Sequence, residues 1–118
     1  GRVYVADRGN ARIQRFAQDG KLIDAWQSAE LGRPWALSIA EDGSVFVVDG
    51  GDQNIAPPDR GRLLRLNADG EVLESWSSFG NQDGQIYWGH AIAVSNAGEV
   101  YVGDVRYGMR VQKFVRDD

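Results

Sequence analysis

The stretch Gly98-Glu99-Val100-Tyr101-Val102-Gly103-Asp104, followed after a short break by Arg110-Val111-Gln112-Lys113-Phe114, decides the fold. The same pattern opens the chain as Gly1-Arg2-Val3-Tyr4-Val5-Ala6-Asp7, then Arg12-Ile13-Gln14-Arg15-Phe16. It returns as Gly43-Ser44-Val45-Phe46-Val47-Val48-Asp49, then Arg62-Leu63-Leu64-Arg65-Leu66. Copies spaced roughly forty to fifty-five residues apart mark a repeat architecture in which each copy is one supersecondary unit.

Working outward from these copies, every unit reads as short strands rich in β-branched and aromatic residues, separated by turn residues. The first unit gives strands at Arg2–Ala6, Ala11–Phe16 and Lys21–Trp26. The second gives four: Trp35–Ala40, Ser44–Asp49, Gly61–Leu66 and Glu71–Trp76. The third gives three: His90–Val94, Val100–Gly103 and Met109–Val115. No apolar pattern holds a 3.6-residue period over three turns, so no helix is expected. Four-stranded units in tandem are the blades of a β-propeller. A sandwich and a barrel are the competing all-β readings. Reuse of one unit, down to Asp at the end of its second strand and Trp at the end of its fourth (Trp26, Trp76), favours the propeller. The expected fold is therefore an all-β, partial β-propeller of about two and a half four-stranded antiparallel blades. Residues 1–26 form an incomplete blade, 34–76 a complete one and 90–118 a second incomplete one.

The connections are asymmetric. In an up-and-down blade, the turns after strands 1 and 3 share one face. Here they are uniformly tight: Gln18-Asp19-Gly20, Glu41-Asp42-Gly43, Asn67-Ala68-Asp69-Gly70 and Ser95-Asn96-Ala97-Gly98. The other face holds the two long segments, Gly50 to Arg60 and Ser77 to Gly89. Long irregular loops on a rigid scaffold are where binding residues collect, so this face is the expected functional surface. The loop from Gly50 to Arg60, stiffened by Pro57-Pro58, is expected to wall a pocket there; a surface insertion without a role is the alternative.

The chain has 118 residues, a net charge of −4 and 42% hydrophobic residues. An acidic balance argues against a nucleic-acid or anionic-membrane partner. No apolar run approaches a membrane span. Without Cys, a disulfide framework is excluded. The chain starts inside a strand pattern and reads as an excerpt of a longer protein, with the remaining blades as its first partner.

Among single residues, His90 is the only His. It stands eight residues before Gly98, as Trp35 stands eight before Gly43. Both fall at the start of an inner strand on the long-loop face, where side chains from separate blades converge on the axis. Open tetrahedral zinc needs three protein ligands, and this chain offers one His, so it cannot complete such a site alone. A His that fills the channel, or bonds a neighbouring blade, fits the position equally. Asp7, Asp49 and Asp104 recur in every unit, as do Arg12, Arg62 and Arg110. A residue needed once for chemistry would not repeat, so both sets are expected to be structural. The Asp residues would accept turn N–H groups and each Arg would pair within its blade. Arg8 is not repeated, and its guanidinium suits a carboxylate. Tyr87, Trp88 and Tyr107 stand where they would line a pocket or serve as packing.

The sequence Val3-Tyr4-Val5-Ala6-Asp7-Arg8-Gly9-Asn10-Ala11-Arg12-Ile13-Gln14-Arg15-Phe16 resembles the NHL repeat of six-bladed β-propellers. Within that group the chain is most similar to the C-terminal part of the peptidyl-α-hydroxyglycine α-amidating lyases. The shared features are Asp7-Arg8, Gly32-Arg33 ahead of Trp35, the enlarged loop at Gly50 to Arg60, and His90 followed by Gly98 to Asp104. The resemblance implies a zinc-dependent enzyme that cleaves hydroxyglycine-extended peptides to the peptide amide and glyoxylate. It would make His90 one of three zinc ligands and Arg8 a substrate contact; Trp88 and Tyr107 are further substrate-binding candidates by their positions alone. It also implies an extracellular or periplasmic place. The family's catalytic Tyr belongs to a blade upstream of Gly1, so no catalytic residue is assigned here. Ala91 replaces the family's calcium-site Asp, which leaves calcium in doubt, and Trp88 replaces its Met. The second functional hypothesis is a non-catalytic NHL module that binds a protein, peptide or glycan on the loop face.

Overall fold

The computed structural model describes residues 1–52 and 58–117. It contains ten strands: β1 (Arg2–Asp7), β2 (Arg12–Ala17), β3 (Leu22–Trp26), β4 (Pro34–Ile39), β5 (Val45–Asp49), β6 (Arg62–Leu66), β7 (Val72–Trp76), β8 (Gly89–Val94), β9 (Val100–Asp104) and β10 (Arg110–Phe114). The one helical piece described is a short 3-10 turn at Arg8–Asn10. The strands form three antiparallel meanders, ordered β1-β2-β3, β4-β5-β6-β7 and β8-β9-β10. This is the all-β, partial propeller expected from the repeats.

The tight turns are copies of one another. Ala17, Ala40, Asn67 and Ser95 each donate N–H to the carbonyl four residues on, and each accepts from the Gly three residues on. Gly20, Gly43, Gly70 and Gly98 all hold φ between +84° and +89°, a region that only Gly enters cheaply. Such three-residue hairpin loops follow directly from the Asp-Gly and Ala-Gly sequence signals.

The middle sheet is buried on both sides, which explains why β5 is apolar up to Asp49 and why β6 is apolar apart from Arg62 and Arg65. Alternation splits them between two cores. Val45, Val47, Leu64 and Leu66 pack with Ile13, Trp26 and Leu31 towards the first sheet. Phe46, Val48 and Leu63 pack with Ile86, Val100 and Val102 towards the third. The outer faces of the end sheets carry the same kind of residue without cover: Val3 is 51% exposed and Val111 72% exposed.

Polar ties cross the first interface. Arg15, buried in β2, pairs with Asp24 (2.5 Å), packs 4.8 Å from the Trp26 ring centroid and donates to the Ala68 carbonyl of the middle sheet (3.1 Å). Arg33 donates to the carbonyls of Arg8 (2.7 Å) and Gly9 (3.2 Å), tying the start of β4 to the turn of the preceding sheet.

The repeated Asp residues do close the ends of their units. Asp49 has no accessible surface. It accepts the backbone N–H of Arg33 (2.9 Å) and Gly51 (3.2 Å) and the side chains of Arg60 (3.0 Å) and Arg62 (2.8 Å). Burial alone would raise its pKa, but these donors outweigh it and hold the carboxyl below its usual range. Asp104 accepts the amides of Tyr87 (2.8 Å) and Trp88 (2.5 Å). Each of these two carboxylates thereby fixes the segment leading into the inner strand of its own sheet. Asp7 pairs with Arg12 (2.7 Å), as Asp49 does with Arg62. Arg110 departs from the expectation that it pairs within its blade. It bonds the carbonyls of Gln82 (2.6 Å) and Gln85 (3.1 Å) and pairs with Asp83 (3.5 Å), in the long connection before β8.

Candidate functional site: an aromatic cluster on the long-loop face

The inner strands β4 and β8 are neighbours, and both carry a bulge at the same place. Pro34 pairs with Asp49 and Ala36 with Val48, which leaves Trp35 as the extra residue. Gly89 pairs with Asp104 and Ala91 with Gly103, which leaves His90 as the extra residue. A bulge re-aims the side chain it carries, and bulges recur beside functional sites. Here they bring the two rings together edge to face, with centroids 5.4 Å apart. His90 is exposed, and its imidazole has no hydrogen-bond partner among the described residues.

Other side chains gather on the same rings. Trp88 meets Trp35 edge to face at 5.6 Å. Trp35 is fixed by its indole N–H, which donates to the Gly51 carbonyl (3.1 Å). Arg8, from the turn after β1, sits with Cζ 4.6 Å from the Trp35 centroid. Arg106, from the turn after β9, sits 4.9 Å from that of Trp88. Tyr107 packs on Tyr87 at 5.3 Å, and Tyr87 packs on Phe79 at 4.8 Å. The Trp88 indole N–H is buried without an acceptor among the described residues, a cost that ordinary packing avoids.

Of the residues singled out from sequence, Arg8, Trp88 and His90 thus converge around Trp35. Tyr107, 68% exposed, packs instead on Tyr87, whose other ring contact among the described residues is Phe79. Five of the eleven residues of the Gly50–Arg60 loop, 53–57, lie outside the described residues, and with them the loop's expected role as a pocket wall. The shared spacing from the turn glycine predicts His90 beside Trp35, as the structure places them. One participant lies outside the sequence reading: Arg106 has no Arg counterpart in the other turns, and its place beside Tyr107 is the only hint.

Among the described residues no group of three or more His, Cys, Asp or Glu is placed to hold a metal ion. Chemically, the cluster offers an unbonded imidazole, two guanidiniums and a fixed pair of indoles. That set can bind an anion or a flat group, and it can supply one nitrogen ligand to a metal held jointly with other residues. A separate cleft of about 570 Å³ lies among the tight turns at the other end, lined by Asp42, Arg65, Ser95 and their neighbours. Two of its charged groups have partners: Arg65 pairs with Glu74, and Asp42 accepts the Ser44 amide. No helix among the described residues is long and apolar enough to cross a membrane.

No protein-family model matches the chain, and no curated protein does. Solved structures do resemble it. A structure of streptogramin B lyase superposes on 97% of the chain with a TM-score of 0.61 at 12% identity. A protein of unknown function from Bacteroides caccae covers 97% with a TM-score of 0.56 at 14% identity. The chain spans 37% and 42% of the lengths of those two chains. At such identities the likeness is one of fold: the chain is a partial β-propeller.

Proposed function

We infer that this chain is part of a lyase-like, metal-dependent propeller whose site is the aromatic cluster at the axial end of β4 and β8. The observation that carries this reading is the pairing of Trp35 and His90 at matched bulges, with Arg8 packed on the same indole. In this reading, which follows the resemblance to peptidyl-α-hydroxyglycine α-amidating lyases, Arg8 holds a substrate carboxylate. Trp35 and Trp88 exclude water from one side, and Tyr107 lines the rim. His90 supplies one zinc ligand. Its exposed, unbonded imidazole suits that role, and two further ligands would come from other blades. Zinc, when bound, polarises the reacting oxygen as a Lewis acid. The solved lyase with this fold is in keeping with such chemistry but does not assign it.

The test is glyoxylate release from a peptidyl-α-hydroxyglycine by the intact protein, together with its zinc content. Release that disappears in His90→Ala and after chelation is the expected result. A zinc-loaded protein that releases no glyoxylate overturns the lyase reading. The second reading, an NHL module that only binds a peptide, protein or glycan, is favoured by the single His. It would be left standing if ligands bind without turnover.

A further inference from the structure

Each indole of the pair carries one cation. Arg8 packs on Trp35 and Arg106 on Trp88, and the two indoles touch each other. Neither guanidinium has a carboxylate partner among the described residues. This is unusual in a chain with 17 acidic and 13 basic residues, where Arg12, Arg15, Arg33, Arg60 and Arg62 are all paired. Packing against a ring uses the face of a guanidinium and leaves the N–H donors in its plane free for a bidentate acceptor. Arg8 and Arg106 are thus positioned without being used up.

The turn that presents Arg106 is built to hold it. Arg106 has φ +57°, a left-handed conformation that costs energy for a residue with a Cβ. Val105 N–H donates to the Trp88 carbonyl (3.0 Å), tying the turn to the segment that leads to His90. Gly108 N–H closes the turn on the Val105 carbonyl (3.3 Å). Gly108 also lies so close to Asp104 that a Cβ there would overlap the carboxylate.

We propose that Arg106 is a second anion-binding residue of this site, and that the ligand is a dicarboxylate whose two ends are held by Arg8 and Arg106 while its middle lies across Trp35 and Trp88. The inference rests on the axial location given to the substrate above and adds a second anionic group to the one assigned to Arg8. Because the two cations pack on different indoles, the ligand must be long enough to reach from one indole to the next.

The experiment is a titration of the intact protein, metal-free, with suberate, octanoate and malonate. The indole N–H resonances of Trp35 and Trp88 are followed by heteronuclear NMR. Suberate is expected to bind about tenfold more tightly than octanoate, the value of one charge-assisted pair, and malonate no better than octanoate. Arg106→Gly should abolish the suberate advantage and leave octanoate unchanged. Its thermal midpoint should stay or rise, because Gly relieves the left-handed backbone, so a loss of binding cannot be put down to unfolding. Arg106→Lys should retain part of the advantage. The proposal is overturned if suberate keeps its advantage in Arg106→Gly, if suberate and octanoate bind alike to the unmutated protein, or if neither binds. The lyase reading is judged on zinc and glyoxylate, so either can fail while the other stands.

Discussion

Trp35 and His90 occupy the same structural position one unit apart, and their rings meet edge to face at 5.4 Å. Each is the residue a bulge leaves unpaired in its inner strand. The contact is therefore a product of register rather than of bulk packing. An imidazole placed this way, exposed and without hydrogen bonds, contributes little to folding. His90→Ala should change stability by no more than about 0.5 kcal/mol, as is usual for exposed sites. In the intact protein it should lower retained zinc well below that of the unmutated protein. Calorimetry and metal analysis on the same preparations check both halves.

Asp49 should behave in the opposite way. Its buried carboxylate holds two arginines and two amides. Asp49→Asn is expected to cost about 3 kcal/mol, the lower end for breaking a buried pair, since Arg60 and Arg62 keep some access to solvent. The folded pKa is depressed. Its contribution is thus fully present above the unfolded carboxyl value of about 3.9 and is lost as pH falls through the lower folded value. Thermal midpoints measured below pH 4 should converge for the two proteins, whereas those near pH 6 should differ most.

Gly32 and Gly43 share positive φ but not surroundings. At Gly43 nothing lies within 4 Å of an added Cβ, and Gly43→Ala should cost about 1 kcal/mol from backbone strain alone. At Gly32 the Cβ would overlap the Asp49 carboxylate, so Gly32→Ala should cost about 3 kcal/mol. Chemical denaturation midpoints of the two variants give the comparison directly.

Leu64 and Leu73 sit on adjacent strands of the middle sheet. Leu64 is fully buried, whereas Leu73 is 47% exposed at the bulge where β6 meets β7. Leu64→Ala should destabilise by about 2–5 kcal/mol, and Leu73→Ala by far less. Equal losses would mean that the middle sheet is not the core.

The uncovered faces of the end sheets predict association. The 118-residue chain alone should sediment as more than a monomer at micromolar concentration, through faces that include Val3 and Val111. Val3→Thr combined with Val111→Thr should shift it towards monomer. A monomer before mutation would show that these faces are tolerated in water.

Most of the fold was legible because it is written three times. The turn glycines, the Asp at the end of β5 and β9, and the alternation in β5 each have a counterpart elsewhere in the chain. The bulges were not legible. Trp35-Ala36-Leu37 is apolar throughout, and after His90 the run Ala91-Ile92-Ala93 is apolar too, so an extra residue leaves no break in the alternation. Spacing from the turn glycine did place Trp35 and His90 at one level, which is why three of the four chosen site residues lie together. Arg106 escaped notice for the reverse reason. The matching place in the middle unit, two residues after Asp49, is also left-handed but is filled by Gly51 (φ +77°), so the repeats mark it as a glycine turn rather than a place for Arg, and the partner Trp88 is reached through space rather than by periodicity.

The matched bulges have a consequence for how such a scaffold can change. A bulged residue sits outside the ladder, so replacing it does not shift the pairing of its neighbours. The position acts as a socket: one unit fills it with indole and the next with imidazole, on the same backbone. Each blade of the ring can therefore try a new side chain at the axis independently of the others. A metal-binding centre could be assembled, or dismantled, one blade at a time.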